Sequence, residues 1–205
     1  LPENPVILEC GAHVGYDTMR LSRTWKEGMI HAIEADPSVF EKLTKKTREL
    51  INVKRYNIAL GDRNGETDFY KAIKIPYLSE EHGGNYAQGS LLPPNPNYWT
   101  WGVNLETEPI RIPVCTVDDW ASENGISNID FMWLDMQGTD FNMLMASSVI
   151  LDTVKVIQIE ISCYEIYKGS VLFEEGKAFL ENHGFKLVAT QSDGGKTFDN
   201  YHGDA

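Results

Sequence analysis

Four acidic residues stand where apolar runs stop. Glu9 follows Val6-Ile7-Leu8, and Glu34 follows Met29-Ile30-His31-Ala32-Ile33. Asp135 follows the run from Ile129 to Leu134, and Glu160 lies near the end of the run from Val154 to Ile161. A carboxylate so placed can hold a cationic group, accept hydroxyl hydrogens, or take a proton from an acceptor ~2.6–3.2 Å away. Glu9 opens the stretch Glu9-Cys10-Gly11-Ala12-His13-Val14-Gly15, and a helical pattern follows. That order reads as strand, tight turn, helix. The first glycine permits a positive φ at the turn. The second lets a ligand and the helix start come close to the main chain, where free N–H groups await a partner. A leading carboxylate suits a cationic ligand group better than a phosphate. The pattern is not the G-x-G-x-x-G of dinucleotide sites. By itself it also fits an ordinary strand-to-helix turn with a solvated Glu.

Glu34 is the second acid at a strand end, about twenty residues beyond the glycine turn. An acid there can accept both hydroxyls of a ribose. It also fits a plain surface acid beside a helix start.

These acids need a sheet to hold them. Val14, Thr18, Leu21 and Trp25 recur with helical spacing. Met29 to Ile33 reads as a strand. Asp36 or Ser38 caps the next helix, with Pro37 in its first turn. Phe40, Leu43, Thr47 and Leu50 form that helix's buried stripe, and Val53 to Leu60 is the third strand. Gly61 to Gly65 is a turn, and Glu66 to Lys71 alternates like a strand. The order βαβαβ implies a doubly wound, mostly parallel sheet with right-handed crossovers. Ligands of such sheets sit at the carboxyl ends of the strands.

Ala72 to Pro113 is different. It carries six prolines, the Gly83-Gly84 pair, and Tyr77, Tyr86, Tyr98, Trp99 and Trp101, without a clear period. A loop this long is commonly a lid or binding loop, and its aromatic content argues against disorder. It reads as a substrate-facing insertion after strand three, or as a flap packing its own aromatics. Arg111 to Cys115 resumes regular structure, and Thr116 caps a helix with Asp119 three residues on. Ile129 to Leu134 is strand four, and Phe141, Leu144, Met145 and Ser148 give the next helical face. Val154 to Ile161 is strand five, a helix opens at Gly169 or Ser170, and Gly184 closes it. Phe185 to Thr190 is strand six, and Phe198 to Ala205 begins a last strand.

The chain has 205 residues, 42% apolar and 23% charged, with a net charge of −12. One α/β domain over residues 1–205 accounts for this length. The negative charge argues against a general binder of nucleic acid or anionic membrane. No apolar run approaches the ~20 residues of a membrane span, and no signal peptide is visible. Cys10, Cys115 and Cys163 lie far apart with no C-x-x-C, which disfavours a thiolate metal site and fits reduced thiols in the cytoplasm.

The Glu9 to Gly15 turn resembles the first motif of class I S-adenosylmethionine (SAM) methyltransferases. The whole order resembles the FkbM-type branch of that class. The matching pieces are Glu9 to Gly15, Ile33-Glu34-Ala35-Asp36-Pro37, Asn57 to Asp62 with Gly65, Thr116 to Asp119, Ile129 to Gly138, and Ile159-Glu160. The resemblance implies a seven-stranded Rossmann-like sheet and SAM as cofactor. It implies O-methylation of a hydroxyl on a small molecule or glycan. Glu9, Gly11, Ala12, His13 and Gly15 would surround the methionine end. Glu34 and Ala35 would meet the ribose, and Asn57, Ala59 and Asp62 the adenine edge. Asp62 also fits plain turn chemistry. Asp135 would hold the methionine amino group or act on the acceptor. Glu160 is a second candidate base, and His82 in the insertion a third, although a lone loop histidine is commonly just solvated.

Two departures matter. The family usually has Asp-x-Glu-Gly after strand four, and Gln137 stands in the Glu place; Glu9 stands where many members have Asp. Asp135 and Glu160 could share a divalent cation, but Gln137 is the only further ligand in view, so no metal is expected. Two other readings stay open: a SAM-binding module without catalysis, which Gln137 allows, and a nicotinamide-dependent oxidoreductase, which the missing fingerprint disfavours.

Overall fold

A computed structural model describes residues 1–73, 88–97, 105–106 and 108–190, and the backbone of 202–204. In chain order the strands are β1 (Val6–Cys10), β2 (Met29–Ile33), β3 (Val53–Tyr56), β4 (Ala59–Leu60), β5 (Gly65–Phe69), β6 (Ile110–Cys115), β7 (Phe131–Leu134), β8 (Val156–Ser162) and β9 (His202–Asp204). The helices are α1 (Tyr16–Thr24), α2 (Pro37–Thr47), α3 (Val117–Glu123), α4 (Asp140–Met145) and α5 (Phe173–Asn182). The main sheet has the order β3-β2-β1-β7-β8-β9, and a smaller sheet has the order β4-β6-β5.

β1 is the pivot. Val6 to Cys10 runs parallel to Met29 to Ile33 on one side, and Ile7 to Cys10 runs parallel to Phe131 to Leu134 on the other. Strand order reverses between these neighbours, which makes the crevice at their carboxyl ends the natural ligand site. Ile7, Leu8 and Cys10 are all wholly buried. That continuous burial is what a parallel strand covered on both faces requires. Ile7 packs with Leu21 of α1 and Leu43 of α2. Leu8 and Cys10 pack with Trp120 of α3, Leu144 of α4 and Phe173 of α5. Helices therefore cover both faces, as a doubly wound sheet demands.

Several local expectations hold. Asp36 caps α2, accepting the Ser38 N–H at 2.8 Å, with Pro37 first in the helix. Thr116 caps α3, accepting the Asp119 N–H at 3.2 Å. Gly184, with φ +84°, follows the end of α5.

Others need correction. The third strand does not run from Val53 to Leu60: the Asn57 side chain donates to the carbonyls of Glu34 and Ala35, the chain leaves the main sheet, and Ala59–Leu60 pairs with β6. The main sheet thus has six strands among the described residues rather than seven, with three more in the second sheet. Val39, not Phe40, joins Leu43 and Thr47 as the buried face of α2. In α4 and just beyond it, Met143 and Ser147 are buried while Met145 and Ser148 face outward, because the helix ends at Met145 and the predicted face ran past it. α5 starts at Phe173, after a bend through Gly169 with φ +87°. Phe185 to Thr190 forms no strand, and Val188 is 89% exposed. β9 pairs antiparallel with β8 only at Glu160 to Ser162. Among the described residues no helix is long and apolar enough to cross a membrane.

Candidate active site

The turn after β1 is pinned to the end of β2. The N–H groups of Gly11 and Ala12 both donate to the Ile33 carbonyl, at 3.1 and 2.9 Å. Gly11 has φ +79°, and a β-carbon there would stand 1.9 Å from the Asp135 carbonyl oxygen. The first glycine is thus required by a backbone approach across β1 and β7. Gly15 serves a different neighbour. It caps α1 with φ +90°, and a β-carbon would press on Leu43 and Thr47 of α2 at 2.8 Å. Its task is helix packing, and it does not line the cavity described below.

Glu34 ties the two turns together. One carboxylate oxygen accepts the His13 N–H and the other the Asp36 N–H, both at 2.8 Å. Burial pushes this carboxyl up to about 7, while the two backbone donors pull the other way. Each oxygen keeps a lone pair for a further donor.

A cavity of about 480 Å³ opens at the carboxyl ends of β1, β2 and β7. Its wall brings together Gly11, Ala12, His13, Glu34, Ala35, Ala59 and Asp135 from the sequence reading. The volume falls within the range of small-molecule and cofactor sites. Ile58, Leu60, Phe69, Leu91 and Met136 supply an apolar side. Tyr16, Asp17, Ile33, Gly89, Gln137 and Thr139 complete it. Gly89 and Leu91 come from the long insertion, so that segment does reach the cavity.

Some predicted residues lie elsewhere. Glu9 is 1% exposed and does not line the cavity. Neither of its carboxylate oxygens has a hydrogen-bond partner, and burial pushes it up to about 8. The Thr18 hydroxyl stands near enough to ease the charge but is not aligned for a hydrogen bond. Asn57 acts on the carbonyls of Glu34 and Ala35, so it shapes the rim without facing the cavity. Asp62 pairs with Arg63 at 3.3 Å on the surface, as its turn chemistry suggested. His82 lies outside the described residues.

Gln137, itself in the cavity wall, centres a polar network that runs back from it. Its Nε2 donates to Asp135 Oδ1 at 2.8 Å and to Glu160 Oε2 at 2.9 Å. Its Oε1 accepts the Tyr167 hydroxyl at 2.7 Å, and its backbone carbonyl accepts the Ser90 hydroxyl at 2.8 Å. Asp135 is open toward the cavity but crowded by protein on its other sides. That crowding, then the Glu160 charge, raises its carboxyl well above the usual range. Glu160 does not line the cavity; it sits behind Asp135, beside a void of about 20 Å³ shared with Asp140 and Ser170. Asp140 is also buried, raised to about 7 by burial and by Glu160. Tyr167, only 3% exposed, carries no sequence spacing that marks it, since its partner Gln137 lies thirty residues away, and Asp140 escapes sequence reading although its carboxylate accepts the Met136 N–H at 2.9 Å, four residues back.

These residues fit SAM. The Gly11 approach leaves the turn no side chain, Glu34 has acceptor capacity for ribose hydroxyls, the apolar side suits a base, and Asp135 places an acid where a cation would rest.

Residues 9–187 match the family model described as the methyltransferase FkbM domain. A protein of Sinorhizobium fredii named 2-O-methyltransferase NoeI is 26% identical over 186 residues, 91% of this chain and 74% of that one. The fold is similar to Methanococcus jannaschii fibrillarin, a pre-rRNA processing protein, with TM-score 0.53, 14% identity, and coverage of 99% of this chain and 66% of that chain. It is also similar to Aeropyrum pernix fibrillarin with natively bound SAM, with TM-score 0.52, 12% identity, and coverage of 100% and 67%. The chain spans about two thirds of those fibrillarins. With the family model covering nearly all of the sheet and the cavity at its strand ends, the chain belongs to the FkbM methyltransferase domain family and is a SAM-dependent methyltransferase.

Proposed function

We propose that the cavity at the ends of β1, β2 and β7 holds SAM and presents it to a hydroxyl of a small molecule or glycan. The observation that carries this is the convergence of Gly11, His13, Glu34, Ala59 and Asp135 on one 480 Å³ space. The relative named as a 2-O-methyltransferase supports oxygen as the acceptor atom. When bound, SAM supplies an activated methyl on a sulfonium.

The chain's own residues do the rest. Glu34 accepts the ribose hydroxyls through its remaining lone pairs, and that contact favours its ionised form. Ile58, Leu60, Phe69 and Leu91 exclude water around the base. Asp135 faces the acceptor and accepts the proton of its hydroxyl. Alignment of donor and acceptor in the closed space contributes on the order of 7–11 kcal/mol to lowering the barrier. Gly89 and Leu91 carry the insertion to the rim, so residues 72–113 select the acceptor within a single domain. The net charge of −12 supports an acceptor other than nucleic acid, and three free thiols fit a reducing, cytoplasmic setting.

Transfer of labelled methyl from SAM to a panel of free sugars, oligosaccharides and small alcohols tests the reading. A product methylated on oxygen supports it. Methylation confined to nitrogen or carbon acceptors contradicts it.

A further inference from the structure

We propose that Ser90 is a positioning residue that locks the insertion to the turn carrying Asp135 and so fixes the width of the cofactor cavity. The inference rests on the reading of that cavity as the SAM site.

Ser90 is 1% exposed and does not line the cavity, but Gly89 and Leu91 on either side of it do. Side chains of an extended chain alternate between faces, so positions 89 and 91 share one face and position 90 takes the other. The backbone of Ser90 pairs with Tyr70, just past the end of β5. The Tyr70 N–H donates to the Ser90 carbonyl at 2.8 Å, and the Ser90 N–H donates to the Tyr70 carbonyl at 3.1 Å. This pairing brings Gly89 onto Phe69, where a β-carbon on residue 89 would stand 2.5 Å from the ring. Leu91 packs against the cluster of Ala59, Phe69, Ile112 and Val114. Gly89, Leu91 and Phe69 thus stand together in the cavity wall.

The Ser90 hydroxyl donates to the Gln137 carbonyl at 2.8 Å and accepts the Leu92 N–H at 3.0 Å. Asp135, Met136 and Gln137 line the same cavity. One hydroxyl therefore joins the wall that lies along the base to the turn that presents the acid. Gln137 has φ +54°, a strained backbone that persists only where its surroundings determine it, and the Ser90 donor is one such determinant. Further along, the insertion has its own ties. The Lys168 N–H donates to the Pro93 carbonyl at 2.9 Å, and the Asn95 N–H donates to the Ile166 carbonyl at 2.8 Å. Loss of the hydroxyl therefore leaves residues 93–95 held and loosens only the stretch that touches the cavity. A site holds its geometry through such supporting bonds, because its walls are only as fixed as the groups behind them.

Ser90→Ala tests this, with Thr153→Val beside it. Thr153 makes the same two kinds of bond ahead of β7, at the other end of the sheet: its hydroxyl donates to the Ile150 carbonyl at 2.7 Å and accepts the Ile129 N–H at 3.0 Å. Both variants lose stability in urea unfolding. Only Ser90→Ala weakens S-adenosylhomocysteine binding in calorimetry, by about threefold to tenfold, the worth of one net hydrogen bond. Ser90→Thr, which keeps the hydroxyl, recovers the affinity. In cofactor-free protein, Ser90→Ala speeds hydrogen exchange at Tyr70, at Leu92 and at residues 136–138, while residues 166–168 exchange as in the wild type. Unchanged affinity in folded Ser90→Ala, or exchange at residues 136–138 that does not move, overturns the proposal and confines Ser90 to supporting the insertion. Failure of the wild type to bind S-adenosylhomocysteine would instead overturn the cofactor reading, and the exchange data, taken without cofactor, separate the two.

Discussion

Gly11 and Asp135 meet backbone to backbone, with space for no β-carbon between them: one on Gly11 would lie 1.9 Å from the Asp135 carbonyl oxygen. This contact sets the distance between the turn after β1 and the acid after β7. Gly11 also needs φ +79°. Gly11→Ala combines left-handed strain with an overlap that only main-chain movement can relieve. It is expected to destabilise the protein by about 3 kcal/mol or more. Urea unfolding followed by tryptophan fluorescence measures it. An unchanged midpoint would contradict the close approach.

Glu9 gives a pH signature. Its carboxyl is raised from 4.5 to about 8 by burial. The folded state therefore holds a proton that the unfolded chain releases above pH 4.5. This contribution to stability is fully present below about pH 4.5 and is lost as pH rises to about 8. The cost across that window is on the order of 5 kcal/mol. Glu9→Gln removes the charge that must be buried, so the variant gains on the wild type as pH rises. Urea titrations at pH 5, 6.5 and 8 should show the two curves diverging. Parallel curves would show that Glu9 finds a partner the fold does not reveal.

Glu34 carries two duties that mutation separates. Glu34→Ala strips partners from the His13 and Asp36 N–H groups, at about 1–3 kcal/mol each. It also weakens S-adenosylhomocysteine binding by about tenfold or more if the carboxylate holds the ribose. Glu34→Gln retains an acceptor for one N–H only, so its stability loss is smaller. Thermal unfolding reads the first duty and calorimetry the second. A variant that loses stability but keeps full affinity would confine Glu34 to the turns.

The sequence shows where β1 and β2 end, because each apolar run stops abruptly at an acid. It shows the Asp36 and Thr116 caps, since a cap is set by residues two or three apart. It does not show that Asn57 breaks the third strand, because its partners are carbonyls more than twenty residues away. Nor does it show which neighbour a glycine serves. Gly11 and Gly15 look alike in the motif, yet one admits a backbone and the other admits α2. Phe185 to Thr190 has the composition of a strand yet pairs with no strand among the described residues. At the site, the acids Glu34 and Asp135 are legible because strand ends converge by topology. Tyr167 is not, since its partner Gln137 is thirty residues away and only the fold brings them together.

The most direct test of the account is calorimetric titration of S-adenosylhomocysteine into the wild type and into Met136→Trp. Met136 lines the cavity beside Asp135, and a large ring there fills space the cofactor needs. The account predicts one site on the wild type, and affinity reduced by about tenfold or more in the folded variant. No binding to folded wild type, or equal binding to both, would contradict it.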